Sequence, residues 1–145
     1  MSEDAKIIGS FEQVDFSDFG MSDVTAKIDT GAFTGAFHCT KLQEIDGENG
    51  KVLRFSPFDH PEIEIETSEY VIKQVKSSNG ESQRRYFVET HIRVQGKQYK
   101  ILLSLADRSE MKWSVLIGRR FLELNDFLVD VRMSNQYGDA GKDTA

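Results

Sequence analysis

At 145 residues the chain is long enough to bury one core and too short for two comfortable ones. Its formal net charge of −6, with adjacent basic residues only at Arg84-Arg85 and Arg119-Arg120, argues against the clustered cations that phosphate binding needs. No apolar run approaches a membrane span and the start, Met1-Ser2-Glu3-Asp4, is acidic where a secretory leader is basic, so the expectation is a cytoplasmic protein with neither a nucleic-acid nor a membrane partner.

In chain order, strand-like stretches are expected over residues 6–11, 24–29, 52–55, 62–66 and 70–76. Turn chemistry separates them: Asp46-Gly47-Glu48-Asn49-Gly50 and Ser77-Ser78-Asn79-Gly80 carry the Gly and Asn that tolerate positive φ. Alternation is clearest in the second half. Tyr86, Val88, Thr90, Ile92 and Val94 line one face of a strand, with Phe87, Glu89, His91 and Arg93 on the other. Gln95-Gly96 then turns the chain, and Tyr99, Ile101, Leu103 and Leu105 repeat the pattern, which predicts a hairpin. Only 118–125 reads as helical, with Phe121, Leu122 and Leu124 as its apolar residues. Many short strands and one short helix near the end predict a closed or partly closed all-β barrel in a single domain over 1–132, with 133–145 as a frayed tail. The lone Cys39 has no partner for an intrachain disulfide and reads as a buried structural thiol.

Two local sequences stand out against this background. Ala26-Lys27-Ile28-Asp29-Thr30-Gly31-Ala32 runs a strand into an acidic residue followed by Thr and Gly. Val115-Leu116-Ile117-Gly118-Arg119-Arg120-Phe121-Leu122 is an apolar strand that ends at Gly and enters the helix. Together they resemble the retropepsin family, in which an Asp-Thr-Gly-Ala turn precedes a late apolar-apolar-Gly-Arg segment. With Ser77-Ser78-Asn79-Gly80 and Asp107-Arg108-Ser109 between them, the chain is similar, over about residues 7–131, to a bacterial group labelled ATP-dependent zinc proteases. The resemblance implies a retropepsin-like barrel, Asp29 as the catalytic acid, Thr30 and Gly31 beside it, and Ala32 at the substrate. It further implies a flap at Ser77, Ser78, Asn79 and Gly80, and structural support from Gly118 and Arg119. It also implies a link to an enzyme that ligates glutamate to a ribosomal protein.

The aspartic mechanism gives these residues work to do. Hydrolysis of an amide needs an activated water and a proton donor. Two carboxyl groups held about 3 Å apart supply both, because like charges so close cannot both ionise. With one Asp-Thr-Gly per chain, the second acid has to come from another copy, so a two-fold homodimer acting on a peptide or protein substrate is expected. The words zinc and ATP fit less well. No His-Glu-x-x-His helix and no Gly-rich phosphate loop is present, so no cofactor and no metal are expected; His38, Cys39 and His60 are the one set from which a zinc site could be assembled.

Other features carry weaker signals. The stretch 40–68 is longer than a viral retropepsin needs, and Pro57 and Pro61 bracket Phe58-Asp59-His60 within it. Asp107 and Ser109 read as a local cap or ion pair, Trp113 as core or dimer contact, and His91 as a solvated imidazole. After its Asp-Thr-Gly-Ala turn the chain has Thr34-Gly35-Ala36-Phe37-His38 where the group tends to have Thr-Ser-Ala-Leu-His, and Ser114 where Pro is common before Val. Two readings compete with the peptidase: a binding or regulatory module that keeps the fold with little hydrolysis, and a zinc-dependent hydrolase.

Overall fold

The computed structural model describes residues 6–76, 79–107 and 110–134. Its strands, in chain order, are β1 (Lys6–Ile8), β2 (Phe11–Phe16), β3 (Met21–Ile28), β4 (Gly35–Gly47), β5 (Gly50–Pro57), β6 (Ile65–Thr67), β7 (Tyr70–Lys76), β8 (Ser82–Val94), β9 (Lys97–Ala106), β10 (Val115–Ile117) and β11 (Phe127–Val129). A 3-10 turn, Ser17–Phe19, joins β2 to β3, and one helix, α1 (Arg119–Leu124), precedes β11.

The sheet closes on itself. β3 pairs with β2, β2 with β8, β8 with β9, β9 with β4 and β4 with β10, and β10 returns to β3, giving a six-stranded barrel. Closure removes the open edges that a flat sheet of these strands would expose. β5 and β6 extend the sheet beyond β4, β7 is laid against β8, and β1 and β11 form a separate parallel pair. The all-β barrel with one short helix is therefore the observed fold.

Period-two alternation explains which residues fill the barrel. Val14 and Phe16 of β2, Val24, Ala26 and Ile28 of β3, and Val88, Ile92 and Val94 of β8 point inward and are buried. At one end Phe19 packs edge-on against Phe37 and Phe55, with ring centroids 5.1 and 5.3 Å apart, and Phe16 meets Phe37 at 5.1 Å. Each such aromatic pair contributes about 0.5–1.5 kcal/mol beyond the area it buries.

The same alternation builds a second surface. Register places Phe11 beside Lys27, Lys27 beside Leu116, Leu116 beside Ala36, Ala36 beside Ser104, Ser104 beside Phe87 and Phe87 beside Val71. This row crosses the barrel's outer face, and its Lys27 lies two residues before Asp29.

Several elements differ from their sequence-based expectation. The strand expected over 6–11 is two strands separated at Gly9-Ser10, where the chain is so close to Met133 that a Cβ on Gly9 would fall 2.7 Å from the Met133 carbonyl oxygen. β4 escaped notice because a register shift between Thr40 and Gln43, with Lys41 at φ 55°, interrupts its alternation. The stretch 40–68 is longer than a viral retropepsin needs because of added sheet. It holds the β4/β5 hairpin and β6, so it widens the sheet on one side. β11 is only three residues long and gives too short a pattern to read. The tail expected over 133–145 lies, from residue 135 onward, outside the described residues; Met133 itself accepts the Ser10 N–H at 2.7 Å.

Candidate active site

β3 delivers Asp29 to the end of the barrel, and its N–H donates to the Ile117 carbonyl on β10 at 2.9 Å. The chain then turns tightly. The Ala32 N–H returns to the Asp29 carbonyl at 3.2 Å, and the Gly31 N–H donates to Asp29 Oδ1 at 3.0 Å. An aspartate followed by small residues forms such a turn because its short carboxylate reaches the backbone two residues on. This bond fixes the carboxylate's orientation.

The late Gly-Arg segment clamps that turn from outside. The Arg119 N–H donates to the Ala32 carbonyl at 2.8 Å, the Arg120 N–H to the Phe33 carbonyl at 3.0 Å, and Arg119 Nη1 to the Thr30 carbonyl at 3.1 Å. The approach needs Gly118, because a Cβ there would fall 2.6 Å from the Phe33 carbonyl oxygen. Gly35 is equally confined, its Cβ position lying 2.5 Å from the Leu116 carbonyl oxygen. That contact supplies a reason for glycine where the resembling group has serine. The clamp joins residues 89 positions apart in sequence, so the two motifs singled out from the sequence are one structural unit.

Asp29 is half-buried, while Thr30 and Gly31 are exposed. Phe33 is 50% exposed and lies under two guanidinium groups, Arg119 at 5.4 Å and Arg120 at 5.9 Å from its ring centroid. One chain thus presents one Asp-Thr-Gly turn at its surface.

Sequence comparison decides the family, since its model for the retropepsin-like aspartic endopeptidase RimB matches residues 7–137. The chain belongs to the RimB-like family. Curated relatives include a probable alpha-L-glutamate ligase of Shewanella pealeana, 31% identical over 97% of this chain and 32% of that protein. Another of the same description, from Desulfotalea psychrophila, is 28% identical over 99% of this chain and 32% of its own length. The chain spans about a third of the length of these relatives. Among solved structures, a Legionella pneumophila protein of unknown function superposes with a TM-score of 0.73 at 25% identity, covering 91% of this chain and 98% of that one. The RimB-like description carries neither word of the zinc-and-ATP label.

The remaining expected site residues fare differently. Of the flap, Ser77 and Ser78 lie outside the described residues; Asn79 and Gly80 are exposed at the turn between β7 and β8, where Gly80 takes φ 89° and Asn79 Oδ1 accepts the Glu81 N–H at 3.1 Å. Arg108 and Ser109 also lie outside the described residues. Trp113 is half-buried against Phe11, with centroids 4.5 Å apart. His91 is not simply solvated: its Nδ1 sits 2.9 Å from Asp18 Oδ2, and that oxygen also accepts the Thr90 hydroxyl at 3.0 Å and the His91 N–H at 3.1 Å.

His38, Cys39 and His60 are engaged separately. The buried His38 imidazole has Nε2 3.0 Å from Asp59 Oδ1 and Nδ1 3.8 Å from Asp107 Oδ1. His60 pairs with Glu62 at 3.3 Å. Burial, and after it the charge of Asp107, pushes the Cys39 thiol up to about 12, which leaves it a poor metal ligand. Among the described residues no three His, Cys, Asp or Glu side chains converge to hold a metal. The His38 cluster ties β4 to the turn at residues 58–60 and to the end of β9, and sequence spacing held no sign of it: Asp59 and Asp107 lie 21 and 69 positions from His38, and Asp59 adjoins a different histidine, His60.

Proposed function

We propose that two copies of this chain form an aspartic peptidase site in which both Asp29 carboxyl groups share one proton and activate a water against a peptide bond. The observation that carries this reading is the clamped Asp29–Ala32 turn. Its carboxylate is oriented by the Gly31 N–H and its backbone is gripped by Gly118–Arg120, in a chain that belongs to a family of retropepsin-like aspartic endopeptidases. In such a site the ionised acid removes a proton from the lytic water while the protonated one polarises the scissile carbonyl. Thr30 and Gly31 line the approach of the partner copy and Arg119 holds the turn's shape. The hairpin tip at Asn79 and Gly80 closes over bound peptide.

The substrate we propose is a polypeptide connected with glutamate ligation. Relatives of which this chain spans about a third are described as probable alpha-L-glutamate ligases, and that supports a shared process. The same observation favours a second reading, a regulatory module that acts by contacting a ligase and hydrolyses nothing.

The test compares wild type with Asp29→Asn on a mixed peptide library, with sedimentation to establish the dimer. Cleavage by wild type alone is the expected result. Equal cleavage by both proteins contradicts the peptidase reading, and no cleavage combined with tight ligase binding by both favours the regulatory one.

A further inference from the structure

β4 turns a carboxylate toward the protein interior. Up to Cys39 its inward side chains are odd-numbered, Phe37 and Cys39, and both are buried. One extra residue between Thr40 and Gln43, with Lys41 at φ 55°, then reverses the parity. Glu44 therefore pairs opposite the buried Leu53 of β5, as Cys39 pairs opposite Pro57, and its side chain is half-buried on the same face. A carboxylate turned that way needs partners.

The partners come from both strands of the β7/β8 hairpin. The Tyr70 hydroxyl donates to Glu44 Oε2, and Arg84 Nη2 donates to Oε1 at 3.4 Å. Tyr70 lies opposite Val88 of β8, and Arg84 lies opposite Gln74 of β7. The two thus stand four residues apart along the hairpin, roughly 13 Å, and they converge on one carboxylate because both side chains are long and share a face. Tyr86 stands between them on that face, its ring 6.2 Å from that of Tyr70 and 5.6 Å from the Arg84 guanidinium. The bond to Glu44, and after it burial, pushes the Tyr70 phenol up to about 12, so the hydroxyl remains a donor through neutral pH.

Elsewhere the hairpin is lightly held. Among the described residues β8 is the one sheet partner of β7, and β8 in turn pairs with β9 only from Tyr86 onward, so residues 82–85 have β7 alone. Val71 and Ile72 on β7 are 48% and 36% exposed. A strand with one neighbour and exposed apolar side chains opens at lower cost than the strands of the closed barrel. At its start, only Ser68 and Glu69 separate β7 from β6, which is paired to β5. The sheet added beyond β4 therefore holds the hairpin twice, through the chain at Tyr70 and through Glu44.

We propose that Glu44 is a positioning residue that sets how far the β7/β8 hairpin closes, by clasping both of its strands to the β4/β5 hairpin. This rests on the peptidase reading, in which the hairpin covers bound peptide. With the clasp made, the closed arrangement is populated before peptide arrives. Without it, part of the binding free energy goes into closure, and apparent affinity falls with the fraction closed. Once peptide is seated the hairpin is closed in either case, so turnover changes little.

Backbone hydrogen exchange and peptide kinetics on the full chain test this together. Glu44→Ala is expected to speed exchange of the β7 amides about tenfold while β2 and β3 stay within about twofold of wild type. Tyr70→Phe is expected to speed them about threefold in the parent and far less in a Glu44→Ala background, because its partner is then gone. Glu44→Ala is expected to raise KM about fivefold with kcat within about twofold, and Glu44→Gln, which keeps an acceptor for the phenol, to recover most of the loss. Unchanged β7 exchange in Glu44→Ala overturns the proposal, as does loosening spread equally over β2 and β3, or a looser β7 with KM unmoved. Wild type that cleaves no peptide, while β7 exchange responds to Glu44→Ala as expected, contradicts the peptidase reading and leaves the clasp standing.

Discussion

Gly118 and Phe33 are in backbone contact, so close that a single methyl on Gly118 would fall 2.6 Å from the Phe33 carbonyl oxygen. Gly118→Ala must therefore push the 117–120 segment off the Asp29 turn. The expected cost is about 1–3 kcal/mol of folding stability, read from the denaturant midpoint, together with loss of peptide cleavage. A variant with wild-type stability and activity would show that the contact is slack.

Arg119 acts on the turn through geometry. Its Nη1 holds the Thr30 carbonyl at 3.1 Å while its guanidinium covers Phe33. A lysine keeps the charge but loses the planar fork. Arg119→Lys is expected to leave the melt within a few degrees of wild type and to lower kcat/KM about tenfold, or ~1.4 kcal/mol. Unchanged kcat/KM would make Arg119 a bystander.

Both of these residues could be picked out in the sequence, because the chemistry of the site is local. An Asp followed by Thr and Gly, and a strand ending in Gly-Arg, each state a backbone requirement that few other residues meet. Strands with clean alternation, β7 to β9, were legible for the same reason. What could not be read was anything built by distant contact. β4 hid behind its bulge at Lys41, β11 is too short to show a period, and His38 gains its two carboxylate neighbours only when the turn at residues 58–60 and the end of β9 fold over it.

Asp18 ties the 3-10 turn to β8. Burial pushes its carboxyl up, but hydrogen bonds from the His91 ring, the Thr90 hydroxyl and the His91 N–H outweigh that and hold it below its ordinary value of 3.8. A carboxyl lowered in the folded state adds stability above its unfolded value and loses it as pH falls through the folded one. Asp18→Asn is expected to cost ~1 kcal/mol at pH 7, modest because the carboxylate is half-exposed and screened. The gap between variant and wild type should narrow as pH falls below 3.8, the ordinary value, and on through the lowered folded one. A gap that acid leaves unchanged would assign the loss to packing.

Cys39 is buried, and its thiol is pushed up to about 12 by burial and then by Asp107. At pH 8 the native protein is expected to react with a disulfide reagent at least about 100-fold more slowly than the unfolded chain. Rapid labelling of the native protein would place the thiol at the surface.

The central claim is that one active site needs Asp29 from two chains, and subunit mixing tests it most directly. Wild type and Asp29→Asn are combined at fixed total concentration, allowed to exchange, and assayed for peptide cleavage. If both acids are required, activity follows the square of the wild-type fraction, so an equal mixture keeps about a quarter of the full rate. A linear decline, with about half the rate retained in that mixture, would mean that each chain works alone and would contradict the shared site.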